Sequence, residues 1–74
     1  MSYPEYIELA DIDPKWKAYA VQIRRPGAVH VKSWAEYSEY TICGNNRKAT
    51  IVTRRITCRK CIKALIDTGK LVKR

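Results

Sequence analysis

Phenylalanine is absent from this 74-residue chain, histidine and methionine occur once each, and there are only three cysteines, three glycines and three prolines. Without phenylalanine, large apolar volume has to come from Trp16, Trp34, the tyrosines and the branched aliphatics, so both tryptophans are expected in the core. Three cysteines cannot all pair within one chain, and no charged-plus-apolar leader of the secretory kind is seen, which argues against a disulfide framework. Charged residues interrupt every apolar stretch well short of the roughly 20 residues that cross a bilayer. A soluble, cytoplasmic protein with no membrane contact is expected. A single histidine also leaves little for nucleophilic or acid–base chemistry, so the expectation is a non-enzyme without a small-molecule substrate.

Acidic residues are scarce and unevenly placed. Seven Asp and Glu face fifteen Lys and Arg, for a formal charge of +8. Glu5, Glu8, Asp11 and Asp13 fall in the first thirteen residues, which hold no base, so a basic body follows an acidic leader. Residues 1–15 read as an amino-terminal extension or edge strand and residues 16–74 as the basic domain. A chain this short forms one domain at most, and its core seldom supplies more than about 3–5 kcal/mol without a staple. With disulfides disfavoured, a metal or a partner chain has to serve.

Period-two spacing of Tyr19, Val21 and Ile23, a turn signal at Arg25-Pro26-Gly27-Ala28 and the β-branched run from Val29 predict a hairpin with His30 on its second strand. Residues 33–40 favour neither period and read as a loop. Asn45-Asn46-Arg47-Lys48 marks a turn, and residues 49–54 read as a strand. Cys58, Cys61, Ile62, Leu65 and Ile66 then share one face of a carboxy-terminal helix, with Arg59, Lys60 and Lys63 opposite. Thr57 suits its N-cap and Gly69 the position just past its end. The leader, broken by Pro4 and Pro14, reads as extended.

Cys58-Arg59-Lys60-Cys61 at a helix start lets two thiolates converge on one ion. The remaining soft or borderline ligands are Cys43 and His30, which completes a Cys3His set of His30, Cys43, Cys58 and Cys61. Twelve residues separate His30 from Cys43, fourteen separate Cys43 from Cys58, and two separate the final pair. The β-region thus supplies two ligands and the helix start two, in the manner of a treble-clef zinc finger. Four protein ligands close a tetrahedral shell, so one structural Zn2+ is expected. A redox role for the Cys-x-x-Cys pair needs a βαβ context that this chain lacks, and an iron–sulfur cluster is the rival metal reading. The fold class expected is small α+β: a hairpin or short antiparallel sheet, one carboxy-terminal helix, and zinc between them.

Candidate nucleic-acid contacts are Arg24, Arg25 and Lys32 on the hairpin, Arg47 and Lys48 in the turn, Arg54 and Arg55, and Arg59, Lys60 and Lys63 on the helix, extended by Lys70, Lys73 and Arg74. They are suited to neutralising phosphates, while Trp16, Trp34, Tyr37 or Tyr40 are available to stack on unpaired bases. The alternative reading of the same charge is steering toward a protein with an acidic surface.

Val29-His30, Thr41-Ile42-Cys43-Gly44 and the run from Ile56 through Thr57-Cys58-Arg59-Lys60-Cys61-Ile62-Lys63-Ala64 to Leu65 resemble a group of small Cys3His zinc-finger proteins from bacteriophages and actinobacteria. The resemblance covers residues 29–66 and maps all four presumed ligands. It implies zinc binding and a phage-encoded protein working in the host cytoplasm, whose alternative partner is an acidic host protein, an enzyme or defence factor that it would inhibit or redirect.

Overall fold

A computed structural model describes residues 3–34 and 40–72. Strands β1 (Ala18–Gln22), β2 (Val29–Ser33) and β3 (Thr50–Val52) precede one helix, α1 (Arg59–Asp67). The sheet is antiparallel in the order β2-β1-β3, which leaves β2 and β3 at its edges. The fold is therefore the small α+β architecture expected, and the hairpin pairs Ala18 with Ser33 through Gln22 with Val29.

Alternation decides which side of the sheet meets the helix. Ala18 and Ala20 on β1 and Val29 and Val31 on β2 pack with Ile56, Cys61, Ile62 and Leu65, whereas Tyr19 and Val21 fall on the other face. The more apolar period of β1 is thus not the one turned to the main core. Full burial of a side chain such as Ile56, Ile62 or Leu65 is worth about 1.5–3 kcal/mol each.

The helix begins one residue later than its composition suggests. Cys58, in extended conformation, is the N-cap, and its carbonyl receives the Ile62 N–H at 2.9 Å. Thr57 does not cap: its hydroxyl instead accepts the Val29 N–H at 2.9 Å, because the strand edge offers a nearer orphan donor. The other end follows expectation. Gly69 takes φ +67°, and the Gly69 and Lys70 N–H groups reach the Ile66 and Leu65 carbonyls at 3.1 and 3.0 Å, a Schellman closure.

The leader forms short 3-10 turns at Leu9–Asp11 and Pro14–Trp16 rather than a strand. Ile7 and Ile56 exchange two backbone hydrogen bonds of 2.9 and 2.8 Å, and Ile12 bridges to Leu71. Ile7, Ile12 and Ile56 are all buried in the core cluster. Trp16 is half-buried against that cluster, with the Lys70 ammonium 4.2 Å from its ring centre, so Lys70 is buried rather than part of an exposed basic tail. Trp34 departs from the core placement expected of it and remains 57% exposed. Tyr37, Lys73 and Arg74 lie outside the described residues.

Candidate metal centre

The outer edge of β2 organises the site. Strand pairing with β1 uses one side of β2 and leaves the backbone groups of Val29 and Val31 on the other side in need of partners. The Val29 carbonyl accepts the Thr57 and Cys58 N–H groups at 3.1 and 3.0 Å, which seats the helix start against the strand. The Val31 carbonyl accepts the Ile42 N–H at 2.9 Å and so seats the turn that carries Cys43. The Val31 N–H donates to Cys61 Sγ. His30 stands between the two valines. Every cysteine is thereby anchored to its strand or to a neighbour of it.

The ligand atoms of His30, Cys43, Cys58 and Cys61 all lie within 4.8 Å of one another. His30 Nδ1 is 3.5 Å from Cys43 Sγ and 3.8 Å from Cys61 Sγ. Metal–sulfur bonds of about 2.3 Å in a tetrahedron require ligand separations of about 3.8 Å. The donor set and its spacing therefore fit one metal ion. The two Cys-x-x-Cys sulfurs are in buried residues, while His30 and Cys43 are half-buried, so the centre sits at the margin of the core.

Local groups tune the ligands. Desolvation raises the Cys43 thiol, but hydrogen bonds from the Thr41 hydroxyl, from Cys61 and Cys58, and from the Asn45 backbone outweigh it and leave Cys43 below its usual value. Burial dominates at Cys61 and pushes its thiol up, despite the Val31 N–H. Burial also lowers His30, which favours the neutral imidazole that ligates metal. Cys43 is held by a tight turn: Thr41 exchanges backbone bonds with Asn45 and Gly44, its hydroxyl accepts the Asn45 N–H at 3.0 Å, and Gly44 adopts φ +92°. Thr41 and Val31 are contributors that ligand counting overlooks. The Thr-x-Cys-Gly step was the available signal for Thr41, whereas a backbone N–H leaves none.

The expected basic residues do not form one patch. Arg47 and Lys60 line a surface cleft together with His30, Cys43 and Cys58. Arg59, Lys60 and Lys63 meet Tyr3 and Pro4 across a second cleft whose floor includes Ile62. Arg24 and Arg25 lie apart, beside Thr50 and Val52. Arg54 and Arg55 share a further cleft with Glu8 and Thr57. Arg55 is engaged, 3.3 Å from Glu8 and 4.4 Å over the Tyr6 ring. Lys48 is exposed and Lys32 is half-buried on β2. Among the described residues, neither Arg47 nor Lys60 is held in an ion pair. No described helix is long and apolar enough to cross a membrane.

No protein-family model, curated protein or solved structure matches this chain.

Proposed function

We propose that the chain is a non-enzymatic nucleic-acid-binding module whose fold is held by one structural zinc ion, the metal that its resemblance to small phage and actinobacterial Cys3His proteins implies. Three thiols and an imidazole within one small cluster suit zinc, whose preferred shell is tetrahedral and rich in sulfur and nitrogen. Binding of about 10–16 kcal/mol, the scale for zinc-finger peptides, exceeds what a core of this size supplies. A four-ligand shell leaves no open position for substrate or reactive water.

The observation that carries the nucleic-acid reading is the pairing of Arg47 and Lys60 beside the metal ligands, on a chain of charge +8. The turn holding Cys43 leads to Arg47, and Lys60 lies inside the Cys-x-x-Cys pair, so the metal that orders those segments also orders the two cations. The test is binding of zinc-loaded protein to short DNA and RNA over a range of salt. Affinity should fall steeply with salt, and the joint change Arg47→Ala with Lys60→Gln should flatten the log–log slope by about 2. Absence of binding at low salt refutes the reading. A protein partner with an acidic surface is favoured instead by the cleft between Tyr3, Pro4 and Ile62, whose rim carries Arg59, Lys60 and Lys63 against the single acid Glu5. A stoichiometric complex that survives nuclease treatment would select it.

A further inference from the structure

Trp34 is one of only two tryptophans, and it is exposed although a chain without phenylalanine has few large apolar groups for its core. It is not a loose side chain. Its ring stacks on that of Tyr19 with centroids 4.5 Å apart and planes inclined by 26°. The Trp34 backbone N–H reaches the Lys17 carbonyl at 3.4 Å, so the β1–β2 pairing continues to the end where the rings meet.

Register places these groups on one face of the sheet. Tyr19 lies directly opposite Lys32, and Val21 lies opposite both His30 and Ile51. Because successive side chains alternate, His30, Lys32 and the position of Trp34 line the same side of β2, with Tyr19 and the buried Val21 beside them. This is the face away from the alanine side of β1 that meets the core. Ile51 continues it on β3 and is 60% exposed. None of the three strands contains an acidic residue. At the His30 end, the face runs into the cleft lined by Arg47 and Lys60.

We infer that the Trp34 end of this face is a stacking platform for the unpaired bases of single-stranded nucleic acid, with Trp34 over Tyr19 as the base contact and Lys32, Arg47 and Lys60 as phosphate contacts. The inference rests on the nucleic-acid reading above and narrows it to single strands. A stacked aromatic pair beside Lys32, with Arg47 and Lys60 at the His30 end, offers an aromatic surface and a charged track together, the combination that single strands use and that a duplex, with its bases already stacked, does not. Lys32 is the one lysine or arginine on the three strands and stands opposite Tyr19, so a cation adjoins the stacked rings.

The test uses zinc-loaded full-length protein with labelled oligothymidylate, the same length of abasic oligodeoxynucleotide, and a mixed-sequence duplex. Trp34→Ala should weaken oligothymidylate binding by about 5- to 150-fold, the range for loss of one stacked base, and Trp34→Phe should restore most of it. Wild-type protein should bind the abasic strand no better than Trp34→Ala does, and duplex affinity should be unchanged by Trp34→Ala. An unchanged thermal transition for the exposed Trp34→Ala variant excludes unfolding as the cause. Equal oligothymidylate binding by wild type and Trp34→Ala, with the joint Arg47 and Lys60 variant still weakened, would refute the platform while leaving nucleic-acid binding standing. Failure to bind any of the three probes would refute both. Loss of oligothymidylate and duplex binding to the same extent in Trp34→Ala would also refute the platform.

Discussion

The outer edge of β2 and the amino-terminal leader pack against the same core, but they are attached to it by different forces. At the β2 edge, three backbone atoms of Val29 and Val31 seat the helix start and the Cys43 turn, and a fourth, the Val31 N–H, donates to a ligand sulfur. Four candidate ligands then converge there. The leader has no such centre. It relies on burial of Ile7 and Ile12, on paired backbone bonds to Ile56, Leu71 and their neighbours, and on an exposed clasp of Tyr6 and Glu8 with Arg55. A single ion bound by these four residues would join strand, turn and helix and make the first region cooperative with the metal. Dispersed apolar contacts make the second depend on the core as a whole.

Four perturbations separate these attachments. The largest effect should come from metal removal by a strong chelator or from Cys61→Ser, either of which should abolish the cooperative transition seen by circular dichroism, because a structural zinc site as proposed would exceed the rest of the core in stabilisation. Retention of the melting curve after verified removal of metal would break the comparison. Ile12→Ala should cost about 2–5 kcal/mol in chemical denaturation through lost burial and cavity formation, yet leave metal stoichiometry unchanged. A loss of bound metal in that variant would show that the two regions are not separately held.

Thr57→Val should cost about 1 kcal/mol, since it keeps the shape but removes the acceptor of the Val29 N–H. Its effect should grow when metal is limiting, as judged by melting temperature at graded zinc concentration. The smallest effect belongs to Arg55→Gln, at about 0.2–1 kcal/mol, because both partners of the Glu8 pair are about half exposed, and it should shrink further in high salt.

The same contrast explains what could be read from the residues alone. The hairpin, the Cys58–Leu65 helix face, the Gly69 closure and the four-ligand set were legible because each is written in local spacing or in the chemistry of rare residues. The leader's turns were not, since single bridges such as Ile7 with Ile56 leave no periodic pattern. Thr57 was misassigned as an N-cap because a threonine before a helix looks alike whether its hydroxyl turns to the helix or to a strand edge. Lys70 and Trp34 exchanged their expected places for a related reason. Lys70 buries its stem and sets its ammonium over Trp16, while Trp34 finds its packing partner, Tyr19, on the outer face of the sheet. Composition places the average residue of each type and takes no account of such pairings.

The most direct test of the metal-centred account is a cobalt(II) titration of the metal-free chain followed by visible absorption. Saturation at one equivalent per chain, with the intense bands of a tetrahedral thiolate-rich site that shift in His30→Ala, is the predicted result. Saturation at half an equivalent, or a spectrum without tetrahedral bands, would contradict a closed site built from His30, Cys43, Cys58 and Cys61 of one chain.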